Sequence, residues 1–221
     1  MTTAHPTSPI NTIIHGNCLK VLPRLAAGSV DFILTAPPYV VRFRDRSGRA
    51  IKNDNNSAWI KPAFAEMYRV LASDSFCVTF YGWTSLKHYI PAIYDAGFRI
   101  AGQIMFQKSY ASSCGLLHRK HESAYLLVKG DPFRPENPIS DILPWKYSEN
   151  KFHPTQKHVA ILRPLIGAFS KPGDLVLDAF CGSASTLIAA KALGRNYLGI
   201  ELDSRYYAIA KKRLMRANRT V

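Results

Sequence analysis

Residues 174–186 read DLVLDAFCGSAST. An apolar run ends in an acid, passes through a turn of small side chains, and enters a segment of helical period that stops at Gly194. Small residues at such a turn let the backbone approach a ligand closely, and the first N–H groups of the following helix face it. The same alternation recurs outward from this stretch. Apolar runs at TIIHG (12–16), VDFIL (30–34), FCVTFY (76–81), RIAGQIMFQ (99–107), ESAYLLVK (122–129) and NYLGI (196–200) join DLVLD (174–178) as strand candidates, seven in all. Helical periods fall at 58–71, 84–96, 158–170, 184–194 and 204–218. Strands alternating with helices predict an α/β fold, a mostly parallel sheet with helices on both faces. Runs 99–107 and 122–129 have no helix between them and predict one antiparallel hairpin at an edge.

The chain has 221 residues, 47% of them hydrophobic and 20% charged, with no repeat, which predicts a single ordered domain spanning 1–221 with residues 1–10 frayed. MTTAHPTSPI lacks the basic start and apolar stretch of a signal peptide, and no window approaches a membrane span, so a cytoplasmic protein is expected. Cys18, Cys77, Cys114 and Cys181 form no CxxC pair and are expected to be free thiols. A metal site from Cys114, His118 and His121 with His15 and Cys18 would need two remote pairs to converge, and none is expected. The formal net charge of +14 predicts a polyanionic partner. Much of it lies in Arg42, Arg44, Arg46, Arg49 and Lys52, and in the C-terminal helix, whose basic face is expected to be simply solvated.

In an open α/β sheet ligands sit beyond the carboxyl ends of the strands, so the loops after 30–34 and 174–178 are where chemistry is expected. The first of these is TAPPY (35–39). The second is AFCGSAST (179–186), which is not GxGxxG and so argues against a nicotinamide dehydrogenase. Glu201 in GIELD (199–203) follows that turn at the spacing of an acid that accepts from ribose hydroxyls.

Together the two loops resemble those of the amino-group DNA methyltransferases. DAFCGSAST resembles their S-adenosylmethionine motif, and APPY resembles their (D/N/S)-PP-(Y/F) catalytic tetrapeptide. The resemblance extends to HGNCLKVLPRLAAGSVDFILTAPPY (15–39), MYRVL (67–71), HESAYLLVKG (121–130) and HPTQKHVAILRPLI (153–166), and so covers most of the chain. With the catalytic loop first, the order is that of the β group. RNA and release-factor methyltransferases generally run in the other order. The resemblance implies a Rossmann-like, S-adenosylmethionine-dependent methyltransferase fold with a seven-stranded sheet ending in a reversed hairpin.

For the cofactor it implies Asn17 and Cys18 at the adenine ring, Asp178, Phe180, Gly182 and the 183–186 turn with Ser183, Ser185 and Thr186 at the methionine part, and Glu201 at the ribose, with Thr35 and Cys181 also among the cofactor-binding residues. His153, Pro154, Thr155, Gln156 and Lys157 would close over the amino-acid end, with Thr155 and Lys157 suited to a carboxylate. For catalysis it implies the loop Ala36, Pro37, Pro38 and Tyr39, with Tyr39 stacked on an extruded base, the Pro37 carbonyl accepting one amino hydrogen, and an acid at position 36 accepting the other. Here position 36 is Ala36, which accepts nothing. Either the chain is a natural inactive relative or an Asp has been replaced, and the intact remaining motifs favour the second. Asp at this place accompanies N6-adenine and Ser N4-cytosine; adenine is expected from the lead-in and the closing Tyr39, with cytosine or a non-catalytic cofactor- and nucleic-acid-binding relative as alternatives. Ala184 stands where the family has a second glycine, a change tolerated if that position does not need positive φ.

The interval 131–152 is too short for a recognition domain. DNA contact is then expected from 42–57, 108–120 and 131–152, through Arg42, Arg44, Arg46, Arg49, Lys52, Lys108, His118, Arg119 and Lys120, with short or relaxed specificity or help from a homodimer partner.

Overall fold

The computed structural model describes residues 9–45, 47–112 and 115–217. Its strands are β1 (Thr12–His15), β2 (Val30–Thr35), β3 (Leu71–Tyr81), β4 (Arg99–Gln107), β5 (His121–Lys129), β6 (Ile142–Pro144), β7 (Leu175–Asp178) and β8 (Asn196–Glu201). The helices are α1 (Cys18–Val21), α2 (Ile60–Val70), α3 (Leu86–Ala96), α4 (Val159–Phe169), α5 (Ser185–Ala192) and α6 (Ser204–Ala217). No helix among the described residues is long and apolar enough to cross a membrane.

One sheet runs in the order β1-β8-β7-β2-β3-β5-β4-β6. Only β5 is reversed: it pairs antiparallel with both β3 and β4, and the remaining pairings are parallel. The sheet therefore has eight strands rather than the expected seven, and the hairpin is not its edge. β6 covers β4 through the pairs Met105–Ile142 and Phe106–Leu143. Three residues closing on a proline carry no readable period, and their strand conformation comes from the free edge of β4.

Successive residues of β2 serve opposite layers, as the pleat requires. Ile33 packs among Trp59, Phe64, Met67 and Tyr89 beneath α2 and α3, whereas Phe32 and Leu34 pack among Ile161, Leu165 and Leu187 beneath α4 and α5. Both faces are covered, which explains why the strand is apolar without alternation. Gly194, at φ +72°, ends the α5 segment as its sequence implied. The parallel strands β2, β3, β7 and β8 all end at one rim of the sheet, and the two loops of interest emerge there side by side.

Candidate active site

A cleft opens at that rim. Its walls include Ala36, Pro37, Pro38 and Tyr39 on one side and Asn17, Cys18, Phe180, Gly182 and Glu201 on the other, with His153, Thr155 and Lys157 above. Loops that are far apart in the chain thus share one cavity. Thr35, Asp178, Cys181, Ser183, Ser185 and Thr186 lie behind this wall, buried, and Pro154 and Gln156 are also absent from the lining.

The loops are joined at their bases. Thr35 Oγ1 donates to Asp178 Oδ1 at 2.8 Å, and the Phe180 N–H donates to the same oxygen at 3.1 Å. Burial pushes the Asp178 carboxyl up to about 6, against the hydrogen bonds from Thr186, Thr35 and Phe180 that favour its charged form. Glu201 accepts from the Gly182 N–H at 2.8 Å and the Asp203 N–H at 2.7 Å. Burial raises it to about 7 despite both amides. A carboxylate so placed retains lone pairs directed at the cleft for a hydroxyl donor.

The 182–185 turn is sharp. Gly182 has φ +51° and Ala184 φ +67°, so position 184 does adopt positive φ, and the condition on which alanine would be tolerated there is not met. A side chain there costs about 1–2 kcal/mol in the left-handed region. Arg213 of α6 compensates: its Nη1 donates to the Ser183 carbonyl, to Ser183 Oγ at 2.9 Å and to Ser185 Oγ at 3.3 Å, while its guanidinium lies 4.8 Å from the Phe152 ring. The helix expected to present only a solvated basic face thus sends one arginine inward, and burial lowers that arginine to about 10. Asn17 Oδ1 caps α1 through the Leu19 N–H at 3.0 Å. The His153 ring packs on Tyr206 at 4.2 Å and its Nδ1 lies 3.2 Å from Thr155 Oγ1; burial first, then the Lys157 and Arg49 charges, lower it to about 4.

The TAPPY loop is held from other elements. Tyr89 Oη donates to the Pro38 carbonyl at 2.6 Å and Ser85 Oγ to the Tyr39 carbonyl at 2.7 Å. Among the described residues no hydrogen bond reaches the Pro37 carbonyl. Gly82 lets the Tyr39 side chain lie against the end of β3, because a Cβ there would sit 2.7 Å from Tyr39 Cβ. At the ring's far end Lys157 Nζ donates to Tyr39 Oη at 3.2 Å, and Tyr39 Oη lies 3.5 Å from Glu122 Oε2. Glu122 also binds Lys108 Nζ at 2.5 Å and Lys157 Nζ at 3.6 Å. Burial would raise the Glu122 carboxyl, but the charges of Lys157 and Lys108 outweigh it and hold the carboxyl below its usual range. Burial lowers Lys157, opposed by Glu122, and raises Tyr39, reinforced by Glu122.

Of the basic residues expected at a nucleic-acid surface, Arg42, Arg44, His118, Arg119 and Lys120 are exposed. Lys108 is not among them: it is 5% exposed and paired with Glu122. Arg49 bonds Asp45 at 2.6 Å and Lys52 pairs with Asp203 at 3.3 Å. Arg46 and Cys114 lie outside the described residues. Among the described residues no group of three or more His, Cys, Asp or Glu is placed to hold a metal. Sequence reasoning assigned no role to Glu122, Trp59, Asp54 or Tyr89, and left Arg213 on a solvated basic face. For Glu122 a signal existed, since an acid at the end of an apolar strand is costly without partners, the same reasoning that singled out Glu201.

A family model described as DNA methylase matches residues 30–212. The protein YubD of Escherichia coli K12 is 45% identical over 212 residues, which cover 96% of this chain and 93% of that protein. The DNA adenine methyltransferase YhdJ of the same organism is 32% identical over 247 residues, 92% of this chain and 82% of that one. The M1.HpyAVI–SAM complex superposes with a TM-score of 0.72 at 24% identity, over 92% of this chain and 98% of that one. PvuII DNA methyltransferase, cytosine-N4-specific, does so with 0.75 at 15% identity, over 96% and 93%, which is agreement of fold.

Proposed function

The chain belongs to the DNA methylase family, and from that premise we propose that its cleft holds S-adenosylmethionine against an adenine extruded from DNA, for methyl transfer to the N6 amino group. The observation that carries this reading is the meeting of Tyr39 and the Pro37 carbonyl with Phe180, Gly182 and Glu201 in one cavity. The donor set fits the cofactor: an aromatic face, a close backbone turn and a carboxylate at a strand end. Bound there, S-adenosylmethionine supplies an electrophilic methyl group.

The protein's own residues do the rest. Glu201 accepts from the ribose hydroxyls, and Asn17, Phe180 and Gly182 line the remaining wall. Tyr39 stacks on the base, an interaction worth about 1–3 kcal/mol. The Pro37 carbonyl, left without a partner among the described residues, accepts one amino hydrogen. A carboxylate at position 36 would accept the other, localise the nitrogen lone pair and stabilise the charge that develops. Ala36 supplies no acceptor, and so the chain binds both partners but turns over slowly. Every other support of the site is in place, which points to one replaced side chain in an otherwise competent cleft.

Adenine is favoured because YhdJ, an adenine enzyme by name, is 32% identical over most of both chains. N4-cytosine is the second reading, favoured by the fold shared with the PvuII enzyme. Ala36→Asp decides between them. Incubated with DNA and isotope-labelled methyl donor, it should raise methyl transfer by at least ~10²–10³-fold, with N6-methyladenine found on nucleoside mass spectrometry. N4-methylcytosine would overturn the base assignment. No transfer, with donor binding retained in calorimetry, would make the chain a non-catalytic binder.

A further inference from the structure

The segment leaving Tyr39 is held in a conformation its side chains disfavour. Val40 has φ +56° and Arg42 φ +54°. For β-branched Val40 this is an outlier, since its branched side chain crowds the backbone in the left-handed region. Such strain persists only where the surroundings over-determine it, and it gathers at functional sites.

What imposes it is Asp54, 2% exposed. Its Oδ1 accepts from the Val40 N–H and its Oδ2 from the Phe43 N–H, both at 2.6 Å, while its carbonyl accepts from the Arg42 N–H at 2.9 Å. These are short, charge-assisted bonds, and a carboxylate buried this far is costly without them. The loop is fastened further by Trp59 Nε1, which donates to the Asn53 and Asn56 carbonyls at 3.1 Å, and by the Lys52–Asp203 pair across the cleft.

The peptide plane between Tyr39 and Val40 is therefore gripped at both ends. Its carbonyl accepts from Ser85 Oγ at 2.7 Å and its N–H donates to Asp54. Fixing that plane fixes the backbone torsion that aims the Tyr39 ring. We propose that Asp54 is a positioning residue, whose carboxylate latches the strained 40–43 turn and thereby aims Tyr39 as the platform for the target base. The role as a base platform rests on the function proposed above; the latch itself does not.

The test places fluorotyrosine at position 39 alone and, as a control, at Tyr197 on β8, in the parent, Asp54→Asn and Asp54→Ala. The parent should give one sharp ¹⁹F resonance from position 39. Both variants should split or broaden it and leave the Tyr197 signal unchanged. In the Ala36→Asp background, Asp54→Asn should lower kcat by roughly 10²-fold with KM for the methyl donor unchanged, the signature of misplacement rather than lost binding. An unaltered Tyr39 resonance, or an equal loss of donor affinity, would overturn the proposal. If Asp54→Ala does not fold, the isosteric Asp54→Asn carries the comparison. Should Ala36→Asp itself be silent, the methyltransferase reading fails, and the ¹⁹F arm alone decides the latch.

Discussion

The two walls of the cleft are held by different means. The wall built from 178–186 and 201 is held mostly by main-chain N–H groups of the wall itself, Phe180 on Asp178 and Gly182 and Asp203 on Glu201, with Thr35 and Arg213 as its side-chain supports from outside. The wall built from 36–43 is held by distant side chains, Asp54, Ser85, Tyr89, Glu122 and Lys157, and by the absence of one at Gly82. A site that cradles a flexible small molecule can be made of backbone and short turns. A platform for a flat base must be aimed, and aiming needs supports from several directions. Substitutions at remote supports should then disturb the Tyr39 wall and spare the other.

The largest effect is expected at Glu122. Glu122→Leu leaves Lys108 and Lys157 buried without their counter-charge, and urea unfolding should show a loss of about 3–5 kcal/mol. A loss near zero would mean that the lysines escape to solvent and that Tyr39 is not held from this end.

The opposite wall should show itself through pH. The folded-state pKa of Glu201 lies near 7, above its ordinary 4.5. The unfolded chain therefore releases this proton first, and the group's contribution to stability is full below about 4.5 and lost as pH rises through about 7. Glu201→Gln, which cannot ionise, should gain stability relative to the parent over that interval in thermal melts without ligand. A constant difference across it would show that Glu201 is not desolvated.

Gly82→Ala sharpens the contrast further. Its Cβ would fall 2.7 Å from Tyr39 Cβ, and the overpacking should cost about 1–3 kcal/mol in denaturant unfolding. Calorimetry should find donor affinity unchanged, since the clash lies on the Tyr39 side. Smallest is Ala184→Gly. Relief of about 1–2 kcal/mol of left-handed strain, less about 0.4–1 lost through a freer unfolded chain, leaves a net gain of roughly 0–1.6 kcal/mol. A lowered melting temperature would show that the Ala184 methyl contributes packing that outweighs its strain.

Much of this was legible beforehand. The long apolar runs and helical periods marked each major element, because buried strands and amphipathic helices must carry their periodicity in the sequence. β6 was not legible, because three residues ending in Pro144 carry none. Nor was the left-handed Ala184, since alanine is a residue that disfavours it. The burial of Lys108 contradicts the ordinary place of lysine and depends on Glu122 of the neighbouring strand β5, whose register partner is Phe106 and whose carboxylate reaches Lys108 two residues further on. Asp54 looked like one polar residue among several in a loop, and nothing local distinguished it.

By itself the sequence determined the order of strands and helices, the two loops at the strand ends, and the lack of an anion at Ala36, since each of these is a property of consecutive residues. Tertiary structure alone decided which charges meet water and which are enclosed, and how Tyr39 is aimed. Those outcomes depend on partners such as Asp54 and Lys157, 14 and 118 residues from the groups they hold, and only the folded path of the chain brings such residues within hydrogen-bonding reach.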